Sequence, residues 1–549
     1  VSSLSDSIKS MRRFTSLTVV VAAIVVLAMV GGLFGGQVLA QQELMSRHFD
    51  SFASALSAVE ANYVDDVETD RLVYSAIRGM LQTLDPHSNF MDPRSYAQLL
   101  ERQEGRYYGL GISINVIDGR ITVMSLFEGS PAYRIGIRGG DVIARIEGEN
   151  SIGMSSEQAV RRLRGPRGSS VNISILRAGF EELIDLDVER DEITIPTVNV
   201  AFMVDDQTGY VRLSDFSETS NDELSRALKR LKDEGMGQLM LDLRNNPGGP
   251  LDQAIGVSNQ FLPRDDMIVY TRGRVENSDQ DYHARSDSEF DGVPVIVLVN
   301  RSSASAAEIV AGALQDHDRA LIVGETTFGK ALVQSVYRVS HGAGLALTSA
   351  RYYTPSGRMI QRPWDGTFDE YLTYSLREQK TLDHSLARRK FTAGGREVYS
   401  GGGIEPDYFL SGPIIGFDPS RLGRLLTARG EFARFARRFS AEGDDRISIE
   451  GVERKVVSPG FSVDDAMLAE FRGYVAERQL TVDEDDFHSD MDFIRAMIHY
   501  EVDLALFGES AARQNLFWRD PQVQFALPFF DEARRLLDLS GESVVVAAR

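Results

Sequence analysis

Five consecutive aliphatic residues, Val295-Ile-Val-Leu-Val299, constrain this chain more than any other stretch. A strand with no polar side chain on either face must be covered on both. Gln238-Leu-Met-Leu-Asp-Leu243 is a second, mostly apolar strand, and Gly209-Tyr-Val-Arg-Leu213 reads as a third. Between them, apolar residues recur at helical spacing near 224–231, 251–261 and 306–314. This alternation of strand and helix from residue 193 onward predicts an α/β domain whose apolar strands are buried on both faces.

At 549 residues the chain exceeds what one core can hold, and three or four domains are expected. Apolar residues at 43% and charged residues at 25% are ordinary globular proportions, which excludes wholesale disorder and a polytopic membrane protein. The net charge of -21 argues against nucleic acid as the main partner, since phosphate binding draws on clustered Lys and Arg. With no cysteine, disulfides, thiolate zinc sites and thiol nucleophiles are excluded.

Residues 1–42 read as a cytoplasmic stub with a transmembrane anchor or signal. Lys9, Arg12 and Arg13 precede an apolar run from Leu17 to Phe34, close to the ~20 residues that cross a bilayer, with the basic flank inside. The run reads first as an anchor; because Val38-Leu39-Ala40 resembles a cleavage site, a removed secretory signal is the rival reading. Both send the remainder to the cell envelope: membrane-anchored outside the cytoplasm, periplasmic in a Gram-negative cell, or secreted.

Residues 43–104 carry helical apolar spacing that breaks at Asp85-Pro86, and 105–192 follow as short strands around one helix near 156–163, the pattern of a small barrel-like module. Residues 193–410 hold the α/β pattern. Residues 411–549 are mostly helical and charged, with Phe493, Met497, Tyr500 and Leu504 on one stripe. That stripe fits simple core, or a dimer (homo-oligomer) or adaptor surface.

Three segments carry chemistry. In Asn300-Arg-Ser-Ser-Ala-Ser305-Ala-Ala-Glu-Ile, a buried strand runs through small residues into an apolar helix, where a turn exposes Ser305 as a nucleophile. Taken alone, it is also what an ordinary Ser-capped helix looks like. In Gly324-Glu-Thr-Thr-Phe-Gly-Lys330, the lysine opens an apolar, strand-like stretch, and a desolvated lysine can serve as a neutral base. Gln334 falls on the same strand face, though a backbone separation of ~13 Å requires both side chains to lean together. In Asp242-Leu-Arg-Asn-Asn-Pro-Gly248-Gly249, glycines at a strand end can offer backbone N–H groups to an oxyanion, or form a plain turn.

Together these segments resemble the C-terminal processing peptidase (tail-specific protease) family. Leu84-Asp-Pro-His-Ser88, Gly209-Tyr-Val-Arg-Leu-Ser-Asp-Phe216, Ala350-Arg-Tyr-Tyr-Thr-Pro-Ser-Gly357 and Gly403-Ile-Glu-Pro-Asp407 extend the match over roughly 45–410. The resemblance implies a crotonase-like (ClpP-like) α/β peptidase core with an inserted PDZ domain. It implies a Ser305-Lys330-Gln334 catalytic group and oxyanion donors from the backbone of Ala306 and of Gly248 or Gly249, without cofactor or metal. In the PDZ domain, Gly109, Leu110, Gly111 and Ile112 would hold the carboxylate of a substrate tail, so the implied partners are polypeptides with hydrophobic C-termini. Pro250 and Ala331 depart from the family pattern, and Pro250 could shift an oxyanion donor.

His317, twelve residues past Ser305, would lie ~18 Å away along a regular helix and is a poor base for it. His87, beside a helix-ending proline, reads as structural. Asp483-Glu-Asp-Asp-Phe-His488 reads as a solvated acidic face rather than a metal site, for want of a calcium-loop pattern. The expected function is a serine endopeptidase acting at C-termini. A non-catalytic PDZ scaffold and a lipophilic-ligand binder on the same fold are the alternatives that the intact Ser305 and Lys330 disfavour.

Overall fold

The computed structural model describes residues 46–549 except 128, 178, 365–369, 372, 375–383, 412–418, 444–460, 479, 481–482 and 548–549. The expected membrane or signal segment lies outside the described residues, and among them no helix is long and apolar enough to cross a membrane. The chain divides into two compact units, Val1–Leu84 and Asp85–Arg549. In the first, the helical spacing resolves into two helices, 46–62 and Thr69–Gln82.

The second unit is built on a six-stranded sheet: β1 (Val200–Met203), β2 (Thr208–Arg212), β3 (Gln238–Asp242), β4 (Val295–Val299), β5 (Ala320–Gly324) and β6 (Tyr408–Phe409), in that order across the sheet. Only the β1–β2 pair is antiparallel. The aliphatic run of β4 divides between two cores. Val295, Val297 and Val299 join Leu239 and Leu241 against helices α1 (Ser220–Asp233), α2 (Leu251–Asn259) and α3 (Ala306–Asp316). Ile296 and Leu298 join Met240 on the opposite face, beneath Phe517, Val523, Phe530 and Leu536. Those residues come from α4 (Glu509–Phe517), α5 (Pro521–Ala526) and α6 (Phe530–Ala547), so the end of the C-terminal region closes the sheet. Each fully buried aliphatic or aromatic side chain contributes about 1.5–3 kcal/mol, which is why neither layer is dispensable.

Parallel strands deliver their functional loops at their C-terminal ends. Here the ends of β3 and β4 supply the turns 243–250 and 300–305. A second, five-stranded antiparallel sheet contains Asn89–Met91, Met267–Gly273, Gln280–His283, Leu332–Arg338 and Gly344–Tyr353. Lys330 lies two residues before Leu332–Arg338 rather than inside it. A register shift at Val333/Gln334 also breaks the simple alternation expected there.

Residues 105–192 are bracketed by a strand pair, Arg106–Gly109 with Asp191–Thr194. Inside it lies a sheet led by Ile112–Ile117, which pairs on one side only, with Arg120–Leu126. Helix Ser156–Leu163, closed by a Ser155–Gln158 capping box, packs beside this edge strand. Among the described residues, five helices between Arg421 and Leu506 form a separate apolar cluster around Phe432, Phe435 and Phe471.

Candidate active site

Ser305 caps α3 with φ 55° and ψ -113°, a strained conformation outside the regions ordinary L-residues occupy. Such strain, of order 1–3 kcal/mol, persists only where surrounding structure fixes it. Three contacts do so. Ser303 Oγ donates to Leu243 O at 2.8 Å, Ala304 N to Asn246 O at 2.9 Å, and Tyr352 OH to Ser305 O at 3.2 Å. The turns after β3 and β4 are thereby stitched to each other.

One carboxylate ties the serine to the lysine. Glu308, fully buried at the third position of α3, accepts from Ser305 N at 2.8 Å and Lys330 N at 2.9 Å through Oε2. Its Oε1 accepts from Thr327 Oγ1 at 2.5 Å and Gly329 N at 2.6 Å. Burial raises its pKa, and these four donors work against that shift. Glu308 is not among the residues that the sequence singles out, although the one acid in the apolar stretch 306–314 is itself a signal.

The Lys330 amine donates to Gln334 Oε1 at 3.2 Å, and Gln334 Nε2 donates to the carbonyl of His87 at 2.6 Å. The second bond orients the amide so that its oxygen faces the lysine. Asp85 in turn fixes the His87 turn, accepting from His87 N at 2.8 Å, Ser88 N at 2.7 Å and Ser88 Oγ at 2.7 Å. His87 is therefore part of the site, through its backbone, rather than remote scaffolding. Its ring meets Tyr371 OH at 2.9 Å, and burial, with the nearby Lys330 charge, lowers its pKa to about 4. Burial also lowers the pKa of Lys330 below 10.5, against the opposing pull of Glu308 and Asp85.

Ser305, Lys330, Gln334, Gly248 and Gly249 line one cavity of about 390 Å³, walled by Phe216, Leu251, Ile309, Leu332 and Val336. No hydrogen bond joins Ser305 Oγ to Lys330 Nζ, whose partner is Gln334. Such contacts often tighten only when substrate arrives.

Gly248 has φ 88°, and an added Cβ would lie 2.7 Å from Ala304 O, Ala306 N and Ser305 Cβ. Its own N–H is spent on Asn246 Oδ1 at 2.8 Å. Among the described residues, the N–H groups of Ala306 and Gly249 have no hydrogen-bond partner. The Gly248-or-Gly249 alternative therefore narrows geometrically to Gly249. Pro250 is simply the cap of α2 at φ -59°, and Ala331, fully buried, donates to Gln361 Oε1 at 2.9 Å, so neither departure disrupts the turn. Gly248→Ala would press on Ala304, Ser305 and Ala306 and displace the neighbouring Gly249 N–H, and is expected to lower kcat about a hundredfold, as measured by steady-state peptide hydrolysis.

In the 109–112 loop, the carbonyls of Leu110 and Gly111 point inward, accepting from Ala132 N and Phe127 N at 3.0 Å each. The Leu110 and Gly111 N–H groups are without partners among the described residues, and Ile112 opens the edge strand. Gly111 has φ 75°, and an added Cβ would lie 2.2 Å from Ser130 Cβ. His317 ends α3 and bonds Met267 O at 2.6 Å, away from the cavity. Asp483 caps a short helix, accepting from Asp485 N and Asp486 N.

Comparison with known proteins identifies three segments. Residues 207–367 match Peptidase family S41, 98–176 match the PDZ domain, and 36–95 match the activating protease CtpB N-terminal domain. A carboxy-terminal-processing protease of Bartonella bacilliformis is 39% identical over 314 residues, covering 56% of this chain and 72% of that one. The carboxy-terminal processing protease CtpA of Bacillus subtilis is 34% identical over 349 residues, covering 63% and 73%. Among solved structures, a photosystem II D1 C-terminal processing protease is 29% identical, with a TM-score of 0.34 over 66% of this chain and 92% of that one. With nearly three quarters of those two curated relatives spanned at more than 30% identity, the chain belongs to the carboxy-terminal processing serine peptidases of family S41.

Proposed function

We propose that Ser305 is the nucleophile, Lys330 its general base, and Gln334 the group that orients the lysine. The observation that carries this reading is the shared carboxylate of Glu308, which binds the backbone N–H of both Ser305 and Lys330. The neutral amine takes the Oγ proton as the oxygen attacks the scissile carbonyl, and the N–H groups of Ala306 and Gly249 receive the developing oxyanion. The resulting ammonium returns its proton to the leaving amine, giving an acyl-enzyme. Water, deprotonated by the same lysine, then releases the new C-terminus and regenerates the hydroxyl.

The substrates are exported polypeptides with apolar C-terminal tails. The N–H groups of Leu110 and Gly111 and the outer side of the edge strand, all without partners among the described residues, support capture of a terminal carboxylate by strand addition. The apolar run 17–34 with its basic flank supports action in the cell envelope, by anchoring or secretion.

The test uses unstructured polypeptides differing only in their last few residues. Expected outcomes are cleavage of the apolar-tailed substrate, its loss in Ser305→Ala, and a rise in KM when the tail ends in charged residues. Undiminished cleavage by Ser305→Ala would falsify the nucleophile assignment. Tail-independent KM would remove the tail-binding role and leave the chemistry standing.

A further inference from the structure

Arg244 sits at the root of the turn that carries Gly248 and Gly249, and it is buried. Two of its nitrogens grip Asp242, Nε to Oδ1 at 3.0 Å and NH2 to Oδ2 at 2.7 Å. Arg212 adds a bond to Asp242 Oδ2 at 3.2 Å and another to the Arg244 carbonyl at 3.3 Å. The remaining nitrogen, NH1, faces away from β3, into the layer formed by the C-terminal helices. There it meets Asp520 Oδ2 at 2.7 Å and Gln522 Oε1 at 3.0 Å.

Both partners are built for this contact. Asp520 caps α5, its Oδ1 accepting from Gln522 N at 2.9 Å and Val523 N at 3.3 Å, which leaves Oδ2 aimed at the guanidinium. Gln522, 2% exposed, is braced from behind by donating to Leu410 O at 3.1 Å. Arg212, Arg244, Asp242 and Asp520 thus form a buried set with two charges of each sign. Removing one member would leave an uncompensated charge in a dry site, which is far costlier than losing a surface pair.

From Arg244 the chain passes directly into the machinery. Asn245 N and Asn246 O bind the turn after β4 at 2.9 Å each, through Asn300 Oδ1 and Ala304 N. Asn246 Oδ1 holds Gly248 N at 2.8 Å. The matched family segments end at residue 367, so the clamp comes from chain beyond them.

We propose that Asp520 and Gln522 are positioning residues of the active site. They hold Arg244, and through it the 245–249 turn, so that the oxyanion N–H groups face the carbonyl attacked by Ser305; this role rests on the Ser305–Lys330 mechanism above. The C-terminal helices then do more than cover a sheet face: they set the geometry of the oxyanion site.

The intact chain carrying Asp520→Ser tests this, because serine keeps an N-cap oxygen while ending short of Arg244. Its kcat on an unstructured, apolar-tailed polypeptide is expected to fall about ten- to a hundredfold, with KM within about twofold of the parent. Inhibition by a peptide aldehyde, whose hemiacetal oxygen occupies the same N–H groups, should weaken by the same factor. Arg244→Met should show the same loss, and the double variant no more than that. An unchanged kcat, a change confined to KM, or additive losses overturns the proposal. If Asp520→Ser melts below the assay temperature, Gln522→Leu reads the same link with the cap and ion pair intact: lower kcat at constant KM supports it, and parental kcat overturns it. Absence of Ser305-dependent cleavage in the parent overturns clamp and mechanism together, whereas normal cleavage by every variant overturns the clamp alone.

Discussion

Lys330→Ala should lower kcat on an apolar-tailed polypeptide by about a hundred- to ten-thousandfold, the range associated with loss of a general base. Binding of the tail should be unaffected, because the 109–112 loop takes no part in the proton transfer. A further signature is the pH profile of the parent enzyme. In the proposed mechanism the active form of the lysine is the neutral amine, so kcat/KM should rise with pH as Lys330 loses its proton. Burial lowers that pKa, which places the midpoint below the ordinary lysine value of 10.5. His87, held near 4, is already neutral across the working range and contributes no inflection around 6.5. A profile governed by a group near 6.5 would transfer the base role to a histidine.

Glu308→Gln should cost both stability and rate. Glutamine has the same shape, but its amide has a donating end, and every contact at this position is made by a donor. Whichever way the amide turns, N–H groups will oppose N–H groups at Ser305 and Lys330, or at Gly329. Leaving buried donors unmatched costs about 1–3 kcal/mol each, so chemical denaturation should report a loss of at least that size. Since the carboxylate spaces Ser305 and Lys330, kcat should fall by more than tenfold at a temperature where the variant is fully folded. Loss of stability with parental kcat would make Glu308 a purely structural anchor.

The fold was legible wherever local pattern and burial agree. The aliphatic run 295–299 demanded two covered faces, and the two covering layers are there. The short strands within 105–192 and the helix near 156–163 follow from alternation and helical spacing. The turn that holds Ser305 was readable because it combines a strand end, small residues and a helix start. The bulge at Val333/Gln334 was not, since a register slip depends on partner strands distant in sequence. His87 looked structural because its contribution to the site is a carbonyl, and any residue can supply one. The contact from Arg244 to Gln522 spans 278 residues, and no local pattern announces it.

The two-faced sheet has a consequence for the order in which the chain is made. Domains generally acquire structure from the N-terminal end during synthesis. Here Ile296, Leu298 and Met240 stay uncovered until Phe517 to Leu536 have emerged. A chain that has not yet produced those helices therefore presents a bare apolar sheet face, the kind of surface through which partly folded chains aggregate.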